Sequence, residues 1–315
     1  MKLYSENILF LDTVLETALM EAKNARQFNP VEHTKQKTAQ IVRYMKEWNL
    51  SGAIVGVSGG IDSSATLALL NHVRNTPESP IEKLVGVSVT DVDNIGSTKQ
   101  NDSHNAASEL CEHFGVEFLS LPCLGDLRKV AVDSLSQGAH IMSPWAVGQL
   151  TSYLRTPMLY GACSMITDEG TPAAVFGTTN LSEGGYIGYV GKAADGMTDV
   201  QIISDLFKSE VLTMARFLGV PEHLVTRVPT GDMFDGRADE ELFGFTYDAL
   251  ELFMLNQMGY SSTDLSQNEL YNQIVTRIER MHEYNKHKYL HQYPSVFLEV
   301  EKSHCPGGWQ NERYY

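Results

Sequence analysis

Cysteine pairs of the Cys-x-x-Cys kind are missing from this chain. Its four cysteines, Cys111, Cys123, Cys163 and Cys305, are scattered, which argues against a zinc site and reads as free thiols in a reducing compartment. Cations are scarce. Lysine and arginine number 24 against 39 acids, a net charge of −15. Nucleic-acid affinity rests on clustered cations against phosphates, so no nucleic-acid partner is expected. No apolar run approaches the length of a membrane span. The first 28 residues set acids inside their apolar pattern and read as an amphipathic helix, not a signal peptide. These absences leave a cytoplasmic protein with no membrane role as the expectation. There is no internal repeat and no low-complexity tract. What is present is a globular balance, 43% hydrophobic and 20% charged over 315 residues, enough for one large α/β domain or two small ones.

Helical patterns cover roughly Glu6–Gln27 and Val31–Trp48. "GAIVGVS" (Gly52–Ser58) is a short β-branched run closed by glycines, as a buried parallel strand should be. A helix follows over Asp62–Arg74, a strand over Lys83–Thr90, and a helix over His104–Gly115 that stops at its glycine. Val116–Pro122 and Pro172–Asn180 read as further strands, separated by a helix through Gln149–Met165. Asp205–Leu218 reads as a helix. Strands alternating with helices predict an α/β fold with a doubly wound, mostly parallel, Rossmann-like sheet. Ligands of such sheets bind beyond the carboxyl ends of the strands. The chemistry-bearing stretches, Ser58–Ser64 and Thr178–Glu183, both follow strands.

"VGVSGGIDSS" (Val55–Ser64) is the most informative stretch. Gly59 and Gly60 let the backbone take positive φ and approach a ligand closely. The helix behind them presents unpaired N–H groups and a positive dipole end, and Ser58, Ser63 and Ser64 add hydroxyls. This is a phosphate cradle. It is not a Walker loop, because no Lys-Ser/Thr follows the second glycine, so a neutralising cation must come from elsewhere. Asp62 can hold Mg²⁺ against the phosphates. The plainer alternative is a turn whose aspartate caps the helix.

The Ser-Gly-Gly-x-Asp-Ser loop resembles that of the N-type ATP pyrophosphatases, which split ATP between the α and β phosphates and adenylate a substrate. The stretch Phe176–Glu251 narrows the resemblance to the NAD synthetases. The family runs Gly-Thr, a glutamate soon after, a Lys-x-x-Asp-Gly-x-x-Asp cluster, a lysine on the next helix, then Pro-Thr-x-Asp and Asp-Glu-x-x-Leu-Gly. The motifs recur here in that order, and the resemblance spans about Ile41 to Lys288. It implies one synthetase domain over 1–315: a helical prefix (1–50), a pyrophosphatase core (51–251) and a helical C-terminal segment (252–315). It also implies the reaction. The nicotinate carboxylate of deamido-NAD attacks the ATP α-phosphate, pyrophosphate leaves, and ammonia displaces AMP.

Residue by residue, the resemblance implies ATP contacts from Gly56, Val57, Ser58, Gly59, Gly60, Ile61, Asp62 and Ser63, and from Thr178, Lys208 and Thr230. It implies Mg²⁺ on Asp62 and Glu183. Lys208 matches the lysine that meets the ATP phosphates and would supply the cation missing from the cradle. Its plainer alternative is a surface lysine on an amphipathic helix whose buried stripe is Phe207, Val211, Ala215 and Leu218. Lys192, Asp195 and Asp199 match the residues facing deamido-NAD, with Asp195 suited to hold ammonium and take its proton. His287 and Lys288 match a pair that reaches deamido-NAD in family homodimers, so a homodimer is implied. Arg155 matches the second arginine of a family helix, while the first, which contacts deamido-NAD, falls on Tyr153. The stretch Gly184–Gly191 is about one residue longer than usual. Both departures lie on the acceptor side. Tyr186 and Tyr189 either stack on the nicotinate ring or pack in the core.

Two rivals predict different things. A tRNA-modifying relative would bind tRNA, and a degraded nucleotide-sensing module would bind ATP without releasing pyrophosphate. Pro229–Glu241, rich in glycine and acids, reads as a lid. No cysteine precedes the cradle and the prefix is too short for a second catalytic domain. Free ammonia is therefore the expected nitrogen donor, with glutamine usable only through a separate glutaminase subunit.

Overall fold

The computed structural model describes residues 7–91, 98–138, 140–229, 237–288 and 295–300. In chain order the elements are α1 (Thr13–Arg26), α2 (Pro30–Glu47), β1 (Gly52–Gly56), α3 (Ile61–Arg74), β2 (Lys83–Val89), α4 (Thr98–Phe114) and β3 (Glu117–Leu121). Then come α5 (Leu124–Leu135), α6 (Pro144–Asp168), β4 (Ala173–Gly177), a π-helical turn (Leu181–Ile187) and β5 (Val200–Gln201). The chain continues through α7 (Lys208–Phe217), α8 (Glu222–Val225), α9 (Asp239–Phe243), α10 (Tyr247–Gln257), α11 (Glu269–Asn285), a 3₁₀ turn (Lys286–Lys288) and β6 (Val296–Phe297).

The six strands form one sheet in the order β3-β2-β1-β4-β5-β6, parallel at every pairing. The chain moves outward from β1 to β3, then restarts on the other side of β1 with β4. That reversal is the topological switch point at which doubly wound sheets bind ligands. The expected fold class is the observed one.

Alternation along β1 builds two layers. Ala53 and Val55 face a core shared with Met45 of α2, Leu67 and Leu70 of α3 and Val211 and Met214 of α7. Ile54 faces the opposite way, into a core with Val85, Val175 and Ile166 of α6. A third core joins the chain's two ends: Leu15 and Leu19 of α1 pack with Leu250 and Phe253 of α10, Ile274 of α11 and Leu181 of the π-helical turn. It lies directly behind Glu183.

Several elements differ from the sequence reading, each for a local reason. α1 starts at Thr13 because Asp12 accepts the Leu15 N–H at 2.9 Å and caps the helix there. α7 starts at Lys208, three residues later than its periodicity suggests. Asp205 is drawn off by the fully buried Lys37 (2.7 Å) and by the Val300 N–H (2.7 Å), and Phe207 N–H is held by Glu210 at 3.0 Å. α5, β5 and β6 were not expected at all. Only Leu124 of α5 is fully buried, and the two last strands are two residues each, too short to carry a period.

Candidate active site

Beyond the ends of β1, β2 and β4 the sheet opens into a cleft of about 270 Å³. Gly59 does not line the cleft but turns the chain between Ser58 and Gly60, which do. Its φ is +73°, and a Cβ there would stand 2.6 Å from the Ser103 carbonyl oxygen, so any side chain would be both strained and obstructed. Gly60 then caps α3 in an extended conformation without a side-chain bond. Asp62 is therefore free of the capping role. Ser58 and Ser63 line the cleft with Gly56, Val57, Gly60 and Ile61. Gly60 N–H donates to Ser58 Oγ at 3.3 Å. Ser64 does not join them: it is fully buried and its hydroxyl donates back to the Gly60 carbonyl at 2.8 Å. Thr178, at the end of β4, completes this side.

Lys208 is no surface lysine. It is 4% exposed, and its Nζ sits between Asp62 Oδ2 (2.6 Å) and Glu183 Oε1 (2.8 Å). The Ser182 hydroxyl accepts its backbone N–H at 3.0 Å, which ties the start of α7 to the π-helical turn. Asn180 links the two carboxylates. Its Nδ2 donates to Asp62 Oδ1 at 2.8 Å, and its Oδ1 accepts the Glu183 N–H at 3.0 Å. Tyr247, from α10, donates its hydroxyl to Glu183 Oε1 at 2.7 Å and stands 3.1 Å from Asp239 Oδ2. Tyr189 donates to the other oxygen of Asp239 at 3.1 Å, and the Lys208 ammonium lies 5.0 Å from the Tyr247 ring centre.

The electrostatics follow from this packing. Burial disfavours the Lys208 charge, but Asp62 and Glu183 outweigh it and hold the ammonium protonated far above its ordinary range. Glu183 is also penalised by burial, yet Lys208 and the Tyr247 hydroxyl keep its carboxyl below the usual value. For Asp62 burial wins, with the Glu183 charge adding, and its carboxyl is pushed up. Burial and Glu183 raise Asp239 to about 6.

Asp62 and Glu183 converge on one cation and both line the cleft. Among the described residues no group of three or more His, Cys, Asp or Glu side chains forms a metal cage. A two-carboxylate set fits Mg²⁺, which keeps several waters and takes phosphate oxygens as its other ligands.

The acceptor-side residues are distributed less tightly. Arg155 lines the cleft from α6 and donates to the Val89 carbonyl at 3.4 Å. Asp195 also lines it and is open to it. Crowding by protein, then the Glu183 charge, raises its carboxyl, with Arg155 opposing. Lys288 reaches back to donate to the Gly188 carbonyl at 2.9 Å. Burial, with the charge of Lys192 adding and that of Asp195 opposing, lowers it to about 8. Lys192 and His287 are exposed. Asp199 is used elsewhere: it accepts the Val175 N–H at 2.8 Å and the Tyr160 hydroxyl at 3.2 Å, behind the cleft lining. Tyr153 is 37% exposed and donates to Gln149 at 3.2 Å. Tyr186 is a core residue, stacked on His282 with ring centres 4.1 Å apart, while Tyr189 lines the cleft. Thr230, the central part of the expected lid (230–236) and Cys305 lie outside the described residues.

Asn180 and Tyr247 are missing from the residues the sequence singles out, and Asp239 enters only as the first residue of the stretch matched to Asp-Glu-x-x-Leu-Gly (Asp239–Gly244). Asn180 had a legible signal: an asparagine three residues before an acid is an N-cap pattern, and it caps the π-helical turn. Tyr247 had none.

A family model described as NAD synthase matches residues 33–292. The chain is 30% identical over 205 residues to an NH₃-dependent NAD⁺ synthetase of Methanococcoides burtonii, covering 64% of this chain and 70% of the relative. It is 27% identical over 259 residues to that of Carboxydothermus hydrogenoformans, covering 81% and 94%. Its fold resembles an NMN synthetase structure from Francisella tularensis, with a TM-score of 0.68 at 21% identity over 87% of this chain and 99% of that one. With a family match running unbroken from α2 to beyond Lys288, and the cradle and the Lys208 bridge inside it, the chain belongs to the NAD synthase family.

Proposed function

We infer that this chain is an ammonia-dependent NAD synthetase, a ligase that makes the amide of NAD from deamido-NAD and ammonia at the expense of ATP. The observation that carries the reading is the placement of Lys208 against Asp62 and Glu183 at the mouth of the glycine cradle. The cradle backbone and the start of α3 bind the triphosphate, and Lys208 faces its charge. Asp62 and Glu183 would hold Mg²⁺, which when bound neutralises the phosphates. The deamido-NAD carboxylate oxygen attacks the α-phosphorus, the bond to the bridging oxygen breaks, and pyrophosphate leaves with the electron pair. Ammonia then adds to the acyl carbon and AMP departs. The protein supplies alignment and fixed charge, not a covalent nucleophile. Asp195, open to the cleft, attracts ammonium and takes its proton, releasing the ammonia that attacks the acyl carbon. Arg155, Lys192 and Lys288 supply the cations for the acceptor, with Tyr153, Asp199 and His287 as the family's remaining positions on that side. Thr230 is assigned to ATP on the family pattern.

The same reading extends to organisation. Prefix, core and C-terminal helices form one synthetase domain, acting as a homodimer in the cytoplasm. Nothing in the net charge of −15 favours nucleic acid, and among the described residues no helix is long and apolar enough to cross a membrane.

Two expected results test the site. Tyr247→Phe removes the hydroxyl that orients Glu183, so kcat/KM should fall by about 10-fold and more Mg²⁺ should be needed for half-maximal rate. A Mg²⁺ titration of the variant checks this, and an unchanged curve would return Tyr247 to a packing role. Nitrogen is tested by supplying ammonium or glutamine with deamido-NAD, ATP and Mg²⁺. NAD should form from ammonium. Formation from glutamine alone at a matching rate, with contaminating ammonia excluded, would contradict the assignment of free ammonia as donor.

A further inference from the structure

Gln201, at the end of β5, is 1% exposed and does not line the cleft, yet its carboxamide joins the two loops that do. Its Oε1 accepts the Thr179 N–H at 3.1 Å, next to Thr178 on the ATP side. Its Nε2 donates to the Asp195 carbonyl at 2.8 Å, on the acceptor side, and to Thr198 Oγ1 at 3.0 Å. The Thr179 hydroxyl donates to the same Asp195 carbonyl at 3.2 Å. Thr198 is fixed in turn by Ser295, just before β6, whose hydroxyl donates to the Thr198 carbonyl at 2.6 Å. Both amide hydrogens and the amide oxygen of Gln201 are thus used, in a buried setting where losing them leaves partners unpaired. Gly177 makes room for the bracket. A Cβ there would stand 2.5 Å from Gln201 Cδ, and the carboxamide cannot swing away without breaking its bonds.

We propose that Gln201 is a positioning residue that sets the distance between the ATP loop and the acceptor loop, so that the acceptor carboxylate meets the α-phosphorus in line. The proposal rests on the synthetase reading. Gln201 acts through Thr179 and Asp195 rather than by touching substrate, so its removal should leave substrate affinity nearly intact and misplace the reacting atoms. A displacement on the order of 1 Å costs about 10²-fold in rate.

The test is a cycle of Gln201→Ala, Gly177→Ala and the double variant, measured as pyrophosphate release with ATP, deamido-NAD, Mg²⁺ and ammonium, per folded enzyme. Gln201→Ala should lower kcat by about 10²-fold with each substrate KM changed less than about threefold. Gly177→Ala should give a similar kcat loss by displacing the carboxamide. The double variant should be no worse than Gln201→Ala, because without the longer side chain the new methyl group fits. A kcat within about twofold of wild type for Gln201→Ala, or losses that multiply in the double variant, would overturn the proposal. If Gln201→Ala does not fold, Gly177→Ala decides alone: normal kcat overturns it, and a kcat loss at near-constant KM supports it. Wild-type enzyme that releases no pyrophosphate with deamido-NAD would sink the functional reading itself and the proposal with it.

Discussion

Lys208→Met should lower turnover by about 10²–10³-fold, the loss that follows removal of one preorganised charge contact to a transition state. Methionine keeps the length and apolar stem of lysine, so the packing against Tyr247 survives and the ammonium alone is lost. Among the described residues, that ammonium is the only cation hydrogen-bonded to Asp62 and Glu183, at 2.6 and 2.8 Å. Without it the two carboxylates face each other across a poorly solvated site, and one of them should take up a proton near neutral pH. Mg²⁺ should therefore raise the melting temperature of the variant more than that of the wild type. Steady-state pyrophosphate release and melting curves with and without Mg²⁺ check both parts. Unchanged kinetics would return Lys208 to a structural role.

Asp62→Asn should abolish pyrophosphate release, by more than about 10³-fold, while leaving the fold in place. Asparagine retains an oxygen that accepts from Asn180 Nδ2 (2.8 Å) or Lys208 Nζ. What disappears is the negative charge that would meet Mg²⁺, and no other acid stands in the cradle Ser58–Ser64. Near-normal activity in a variant whose melting temperature is unchanged would defeat the metal assignment.

The parts of this molecule that were legible in the sequence are those whose signals are local. β1 is a β-branched run closed by glycines, and Gly59 sits where its positive φ was expected. The helix after it needed only its apolar pattern. What was not legible is set by residues far apart in the chain. Val200 becomes a strand because it pairs with Phe176 and Val296. Lys208 is marked out by the family resemblance, but periodicity alone reads it as a solvated lysine on an amphipathic helix, and only the fold brings it to Asp62, 146 residues away. Tyr186 looked available for stacking on a ligand, but α11 places His282 against its face. Asp199 is matched to the acceptor side by its motif, and the fold adds a partner that no motif announces, the β4 backbone N–H of Val175. Short polar motifs identify the phosphate side because backbone geometry makes it. The proposed acceptor side draws on α6, the loop before β5 and the C-terminal turn, and that these three meet is set by the fold rather than by any one motif.

The cleft is proposed to adenylate a nicotinate carboxylate and then to amidate it. The most direct test is pyrophosphate release from ATP by the purified chain with Mg²⁺, with and without deamido-NAD, while NAD is followed in the same reaction on adding ammonium. Release should depend on deamido-NAD, and NAD and AMP should appear in equal amounts once ammonium is present. Release that ignores deamido-NAD, or ATP binding with no pyrophosphate released under any of these conditions, would contradict it.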